Sequence, residues 1–471
     1  MIDLKKIKSI HFVGIKGVAM TALACLAQDL KIKVTGSDTQ EIFVTDHLLK
    51  KRKIKYSIGF LPEHIKNPNL VIYTGAHEGQ KNPEVQEAIK KKIMVLNHAQ
   101  ALKLFLKDKE VVSVCGVGGK TTTSSMFATI LKHARLDPAW AIGVGEINPL
   151  GSPGRAGKGK YFVVEADEYV ACPETDLTPR FIYQNPKIAI CTNIEFDHPD
   201  VYQNFDETKK VFLTFFEKIP QDGLLVANID NQNIREVIKK IKKPIQTYGF
   251  SPNAQWHIKD IHFSEQKTFF SLLYQGVEIK DFVLNLPGKI NVLNATAAIA
   301  VANFLGIDFK TSKEALKNFF GVKRRFEKIA QSKNILLYDD YAHHPKEIAA
   351  TLEAARSWFP TKKIITIFQP HTYSRTKKLF AEFTTCFKNA DTVILTPIYA
   401  SAREKKDGSV STQNLVNEIA KHQKETYYSD DFDQATKLVQ RLSLGNEIII
   451  TMGAGNIFHL HPQIIKALSM C

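Results

Sequence analysis

The segment C-G-V-G-G-K-T-T-T-S-S-M at residues 115–126 places three glycines just ahead of a lysine and a run of threonines. Gly116, Gly118 and Gly119 let backbone N–H groups, that of Val117 among them, fold around phosphate oxygens. Lys120 would neutralise β/γ charge, and Thr121, followed by Thr122, stands where a hydroxyl ligates Mg²⁺ at a helix N-terminus. Val114 occupies the first glycine position of the full G-x-x-x-x-G-K-[ST] pattern. The plainer alternative is a glycine turn before a capped helix. The G-K-T-T-T run in a strand-loop-helix context points instead to an ATP site. Two acidic groups follow: Glu165, Asp167 and Glu168, then Glu195, Asp197 and His198. Mg²⁺ takes hard oxygen ligands, usually one or two carboxylates together with nucleotide phosphates. Any one of these side chains could be a solvated loop charge. Their joint placement after a phosphate loop favours a metal site with Thr121, Glu165 and His198 as ligands.

The elements that must hold these groups are short apolar strands ending in polar residues. Residues 10–13 read as a strand, Gly14 and Gly17 as the turn after it, and Met20 to Leu30 as the next helix. V-T-G-S-D at 34–38, ending in Asp38, and L-V-I-Y-T-G-A at 70–76 repeat the pattern. A second unit runs through V-V-S-V-C-G (111–116), Y-F-V-V-E-A-D-E (161–168) and I-A-I-C-T-N-I-E (188–195). A third follows Gly321, with strands at I-L-L-Y-D-D, I-I-T-I-F-Q-P, T-V-I-L-T-P and E-I-I-I-T-M-G-A-G. Strands alternating with helices predict parallel sheets, and ligands bind beyond the carboxyl ends of such strands. The Gly- and Pro-rich stretch 148–160 reads as a mobile loop.

Composition sets the outer limits. With 471 residues, 44% hydrophobic and 24% charged, the chain is expected to be globular, with about three domains. No apolar run approaches the ~18 residues of a membrane helix, so a soluble, cytoplasmic protein is expected. The six cysteines are scattered without C-x-x-C or zinc-type spacing, which suggests a reducing compartment and no structural metal. Lys5, Lys6 and Lys8 ahead of an apolar stretch ending at Cys25 imitate a leader peptide, but Lys16 interrupts it. The net charge of +15 invites a nucleic-acid reading. The lysines are spread over helices rather than clustered with aromatics, and no nucleic-acid or membrane partner is expected. An oxidoreductase using G-I-K-G-V-A as a dinucleotide loop would lack the third glycine.

Taken in order, these motifs resemble the Mur ligase family, ATP-dependent amide-forming enzymes of peptidoglycan precursor synthesis. H-F-V-G-I-K-G-V-A-M resembles its UDP-binding loop, G-V-G-G-K-T-T-T its G-T-H-G-K-T-T-T phosphate loop, and E-A-D-E with T-N-I-E-F-D-H-P-D its metal-binding strand ends. P-G-K-I-N-V-L-N-A-T-A-A (287–298) is similar to the adenine-contacting segment, and G-V-K-R-R-F-E (321–327) to the junction with the last domain. D-D-Y-A-H-H-P-K-E, F-Q-P-H-T-Y-S-R-T and A-R-E (402–404) look most like the member that joins L-alanine to UDP-N-acetylmuramate. The resemblance implies an α/β fold of three domains: a Rossmann-like UDP-substrate domain (1–109), a central P-loop ATPase-type domain (110–321) and a C-terminal Rossmann-like amino-acid domain (322–471). It implies ATP and Mg²⁺ as cofactors, UDP-N-acetylmuramate and L-alanine as substrates, and an acyl phosphate between them.

Residue by residue, the resemblance assigns Gly14, Gly17 and Asp38 to the nucleotide sugar, and Asn291 to adenine or the neighbouring phosphates. Arg325 falls to phosphates, and Asp340 to the ribose hydroxyls. His343, with Lys120, Glu165 and His198, belongs to the catalytic set. His343, His371 and Arg375 would orient alanine, Arg375 because a guanidinium fork suits a carboxylate. Other readings are a helix cap for His343 and His344 before Pro345, and a solvated hinge pair for Arg324 and Arg325. The chain departs from the family at Lys16 and Ala19 (usually glycine), at Val117 and Gly118 (usually Thr-His), and at Ile290 (usually His). Y-V-A-C-P-E-T-D also replaces a short serine-rich turn. Within the family, the runner-up is the recycling ligase that attaches a preformed tripeptide to the same nucleotide sugar. E-A-D-E-Y and N-I-E-F-D-H lean towards it.

Overall fold

A computed structural model describes residues 4–196, 201–202, 204–400, 404, 407–423 and 425–469. The chain groups into two compact units. One comprises 1–261, 269–284 and 291–322, and the other 262–268, 285–290 and 323–471.

The first unit begins with a five-stranded parallel sheet in the order Lys55–Ile58, Lys33–Asp38, Ser9–Val13, Leu70–Tyr73, Met94–Asn97. Strand order reverses at Ser9–Val13, and the crevice beyond the carboxyl ends at such a reversal is where open α/β sheets take ligands. Ile10, Phe12, Leu70 and Ile72 are fully buried and form the sheet's core with Leu23, Ala24 and Leu26. These last come from the helix Val18–Asp29, which begins two residues earlier than the sequence reading placed it.

A ten-stranded sheet follows. Its parallel centre runs Ala139–Ala141, Tyr161–Ala166, Glu110–Cys115, Ile188–Cys191, Leu224–Asn228, Ile245–Gly249. The strands anticipated from the sequence are its middle ones. Continuous runs such as V-V-S-V are buried on both faces, which is what a parallel sheet covered by helices demands. The helix Lys120–His133 buries eleven residues from Thr121 to Leu131. Trp256–Ser264, Lys267–Tyr274 and Val277–Leu284 complete one edge and were not anticipated.

The expectation of a mobile loop at 148–160 is corrected by packing. A Cβ on Gly154 would lie 1.8 Å from the Ala22 carbonyl oxygen, one on Gly159 1.9 Å from that of Leu136, and one on Gly157 2.2 Å from that of Asp137. Gly154–Arg155 pairs antiparallel with Ala139–Ala141. The glycines there permit backbone-to-backbone contact rather than motion.

The second unit carries a six-stranded sheet in the order Glu327–Ser332, Ile335–Asp340, Glu447–Met452, Lys363–Phe368, Thr392–Leu395, Thr426–Tyr428. All pairs are parallel except the first. Four of these strands match those read from the sequence. Arg324 anchors this unit from within: its guanidinium donates to Asp339 at 2.9 Å and to the Gly455 and Gly453 carbonyls at 3.1 and 2.5 Å.

Candidate active site

Strand Glu110–Cys115 delivers the phosphate loop, and strand Ile188–Cys191, its direct neighbour, shapes it. Gly116 and Gly119 adopt φ of +124° and +86°. A Cβ on Gly116 would sit 2.3 Å from Thr192 Oγ1, so only glycine fits. Val117 N and Gly118 N donate to Asn193 Oδ1 at 2.7 and 3.0 Å, and Asn193 Nδ2 donates to Gly118 O at 3.1 Å. Thr192 Oγ1 donates to Gly118 O at 2.6 Å. These two residues lie within the quoted T-N-I-E-F-D-H motif, yet sequence reasoning gave them no role.

The helix Lys120–His133 starts at Gly119 with no side-chain cap. Its first-turn N–H groups, those of Lys120, Thr121 and Thr122, therefore face outward with the positive end of the helix dipole, a ready anion site. Lys120 Nζ donates to Gly116 O at 2.7 Å and lies 3.4 Å from Glu168 and 3.7 Å from Asp167. Burial works against the ammonium, but Glu168, Asp167 and Glu165 outweigh it, so its pKa is raised and the charge is held. Thr121 Oγ1 donates to Glu165 Oε2 at 3.1 Å, and Gly143 N donates to Glu165 Oε1 at 2.8 Å. Burial and the neighbouring Asp167 raise the Glu165 carboxyl above its usual range, against the pull of Lys120 and these two donors.

A hydroxyl and a carboxylate in contact are hard oxygen donors of the kind Mg²⁺ takes, and the uncapped N–H groups with Lys120 are what a nucleotide phosphate takes, so the residues here fit both. His198 and Asp197 lie outside the described residues. Glu195 accepts from Asn231 Nδ2 at 3.0 Å.

Asn291 lies in the first turn of the helix Lys289–Phe304. Asn294 Nδ2 donates to its Oδ1 at 3.3 Å, and Asn294 Oδ1 would lie 2.7 Å from a Cβ on Gly119. The asparagine pair therefore adjoins the phosphate loop.

At the reversal of the five-stranded sheet, Gly14 (φ +80°) turns the chain where a Cβ would be 2.5 Å from Thr74 Cγ2. Gly14 N and Ile15 N donate to Ser37 O, Gly17 N donates to Gly14 O, and Lys16 N donates to Asp38 Oδ2 at 2.7 Å. Asp38 is buried, also accepts from Thr39 N at 2.8 Å and lies 3.9 Å from His77 Nε2. Burial raises its pKa despite these donors. The Lys16 side chain, standing where the family usually has glycine, turns away from the loop. It donates to Thr39 O and Glu41 O at 2.9 and 2.8 Å, 3.5 Å from Asp46, and so fastens the segment after strand Lys33–Asp38.

Within the second unit, His343, His371 and Arg375 come together. The two imidazole centroids are 6.0 Å apart, and His371 stacks on Tyr399 at 5.8 Å. Arg375 Nη1 donates to His371 O at 2.9 Å, with His371 Nδ1 at 3.3 Å. His343 Nδ1 donates to Tyr341 O at 3.0 Å, which leaves Nε2 as the acceptor nitrogen. Glu347 Oε2 is 3.4 Å from His343, and its Oε1 is 3.9 Å from Arg325. Burial lowers the His343 pKa; Glu347 opposes this and Arg375 adds to it. Arg325 also lies over the Tyr341 ring at 5.2 Å. The capping alternative holds for His344 alone, whose Nδ1 accepts from Lys346 N at 3.3 Å. The hinge-pair alternative fails for Arg324, which is buried. Asp340 is buried and accepts from Phe326 N and Ala342 N at 2.7 and 2.8 Å. Burial lifts its pKa to about 6, against the pull of Arg325. Glu347 and Tyr399 were not picked out from the sequence, although Glu347 ends the D-D-Y-A-H-H-P-K-E motif.

Three models of known families match the chain in order: "Mur ligase family, catalytic domain" over residues 9–110, "Mur ligase middle domain" over 114–302, and "Mur ligase, glutamate ligase domain" over 324–455. The UDP-N-acetylmuramate--L-alanine ligase of Caldanaerobacter subterraneus subsp. tengcongensis is 41% identical over 99% of both chains. That of Geobacter sp. (strain M21) is 39% identical over 98% of both. Among solved structures, the UDP-N-acetylmuramate-alanine ligase of Thermotoga maritima is 28% identical with a TM-score of 0.80, covering 97% of this chain and 98% of that one. The UDP-N-acetylmuramate:L-alanyl-gamma-D-glutamyl-meso-diaminopimelate ligase of Neisseria meningitides is 27% identical with a TM-score of 0.59, over 68% of this chain and all of that one. Phosphate loop, strand-end carboxylates and full-length relatives agree, and the chain belongs to the Mur ligase family.

Proposed function

We propose that this chain joins L-alanine to the carboxylate of UDP-N-acetylmuramate, converting ATP to ADP and phosphate. The observation that carries the chemistry is Lys120, held charged beside Glu165, Asp167 and Glu168 at the mouth of an uncapped helix. The acceptor assignment is supported by the full-length relatives named for that reaction. A carboxylate is a poor acyl donor. Its oxygen attacks the γ-phosphorus of ATP, the bond to ADP breaks, and the resulting acyl phosphate loses phosphate when the amine of alanine attacks.

Bound Mg²⁺, held by Thr121 and Glu165 with His198 as a further ligand, would neutralise charge on the phosphates. Lys120 and the first-turn N–H groups of its helix stabilise charge that grows on the transferring phosphoryl group. Asn291 takes adenine or the nearby phosphates, Arg325 further phosphate, and Asp340 the ribose. Gly14, Gly17 and Asp38 shape the nucleotide-sugar loop. In the second unit, Arg375 and His371 hold the alanine carboxylate. His343, neutral near pH 7, offers Nε2 to the proton leaving the ammonium. No described helix is long and apolar enough to cross a membrane, in keeping with small-molecule substrates and a cytoplasmic site of action. In domain terms we assign 1–109 to the nucleotide sugar, 110–321 to ATP and 322–471 to the amino acid.

The test is product identification by mass spectrometry after incubation with ATP, Mg²⁺, UDP-N-acetylmuramate, and either L-alanine or the tripeptide L-alanyl-γ-D-glutamyl-meso-diaminopimelate. Faster conversion of the tripeptide would overturn the alanine assignment in favour of recycling.

A further inference from the structure

The stretch Y-V-A-C-P-E-T-D, where the chain departs from the family's short turn, folds as an antiparallel hairpin, Val170–Cys172 with Asp176–Pro179. The hairpin docks on the five-stranded sheet. Asn97 Nδ2 donates to Asp176 Oδ2 at 2.8 Å, Lys81 pairs with Glu174 at 3.0 Å, and a Cβ on Gly75 would lie 3.2 Å from Ala171 O. Immediately after it comes Arg180, whose side chain is 12% exposed. This arginine joins three parts of the first unit. Its Nη1 lies 3.4 Å from Asp167 Oδ2 and donates to the Tyr169 hydroxyl, and its guanidinium stacks over the Tyr169 ring at 5.0 Å. Its Nη2 donates to His98 Nδ1, and His98 Nε2 in turn donates to Ala19 O at 3.3 Å. Asp167 is the carboxylate 3.7 Å from Lys120. Ala19 lies in the first turn of the helix opened by the glycine loop 14–17. One guanidinium thus spans from the phosphate-loop lysine's counter-ion to the start of the nucleotide-sugar helix, through groups that are each buried or half-buried.

We propose that Arg180 is a positioning residue that holds Asp167 and the first turn of the Val18–Asp29 helix in one arrangement, so that filling the nucleotide-sugar loop favours ATP binding at the phosphate loop. The proposal rests on the assignment of these two loops to the two nucleotides. A planar fork with two arms is required, because one arm serves Asp167 and the other His98; a lysine keeps the charge but reaches only one of them. Coupling between sites is a ratio of affinities, and it is reciprocal.

The experiment is calorimetric titration of the full chain with the β,γ-imido analogue of ATP and Mg²⁺, without and with saturating UDP-N-acetylmuramate. In the unmodified chain the nucleotide sugar should tighten analogue binding roughly fivefold or more. In Arg180→Lys, and separately in His98→Ala, which leaves the Arg180–Asp167 pair in place, this ratio should fall to about one. A merely structural role would lower the melting temperature or weaken both ligands while leaving the ratio as it was, and that result overturns the proposal. A ratio of one in an unmodified chain that binds both ligands also overturns it. Failure of the unmodified chain to bind UDP-N-acetylmuramate at all would instead remove the functional assignment, and the proposal with it. If Arg180→Lys does not fold, His98→Ala decides.

Discussion

Asn193→Ala removes three hydrogen bonds at once: those from Val117 N and Gly118 N to Oδ1, and that from Nδ2 to Gly118 O. Each such bond contributes a net ~1 kcal/mol, within a range of about 0.5–1.5. The loop is half-buried, so water replaces part of what is lost. A destabilisation of about 2–3 kcal/mol is therefore expected from urea unfolding. The functional consequence is larger for one ligand than the other. Val117 and Gly118 would no longer be pinned in the conformation that aims the following N–H groups outward, so the KM for ATP should rise about tenfold or more, as for ~1.4 kcal/mol of lost preorganisation. The KM for UDP-N-acetylmuramate should move little, because Gly14 to Gly17 are organised by Ser37 and Asp38. Asn193→Asp sharpens the comparison. It keeps the Oδ1 acceptor for both loop N–H groups but replaces the Nδ2 donor with an oxygen facing Gly118 O, so it should not rescue ATP binding. An unchanged ATP KM in Asn193→Ala, with the loss of stability observed, would refute the idea that this side chain shapes the phosphate site.

Lys120→Ala should lower kcat about 100- to 1,000-fold in a folded chain, the effect of removing a preorganised electrostatic donor, and near-normal turnover would exclude that role. Arg375→Ala should raise the KM for L-alanine by about 10- to 150-fold and that for ATP far less, since a charge-assisted pair contributes about 1.5–3 kcal/mol; equal changes in both would remove Arg375 from the acceptor site. Asp340 has its pKa raised from 3.8 to about 6, so the folded chain binds this proton more tightly than the unfolded one. The stability it contributes is complete below about pH 4 and lost as the pH rises through 6, a difference of about 3 kcal/mol. The unmodified chain should therefore lose that much stability relative to Asp340→Asn across this interval, and a pH-independent difference between the two would contradict the burial argument.

The parts of the fold that could be read directly are those written in contiguous residues. A buried parallel strand is an apolar run, its carboxyl end carries the polar ligands, and the next helix starts at a glycine turn. Strands near 10–13, 111–116, 161–166 and 188–191 and the phosphate loop were legible for that reason. What escaped depends on contacts between distant segments. Asn193 meets Val117 across 76 positions and Arg180 meets His98 across 82, and no local period encodes either pairing. The hairpin at 170–179 interrupts a familiar motif with residues whose meaning comes only from docking on Asn97, Lys81 and Gly75. Residues 148–160 misled in the opposite sense, because glycines that allow close packing have the same composition as glycines that allow motion. Lys16 reads as a disturbed glycine loop, yet its stem and ammonium reach Thr39, Glu41 and Asp46.

The most direct measurement of the central claim is phosphate release from ATP, followed continuously with the unmodified chain while substrates are omitted one at a time. Release is expected only when ATP, Mg²⁺, UDP-N-acetylmuramate and L-alanine are all present. Sustained release with neither the nucleotide sugar nor an amine acceptor, or stimulation by DNA in their place, would contradict it.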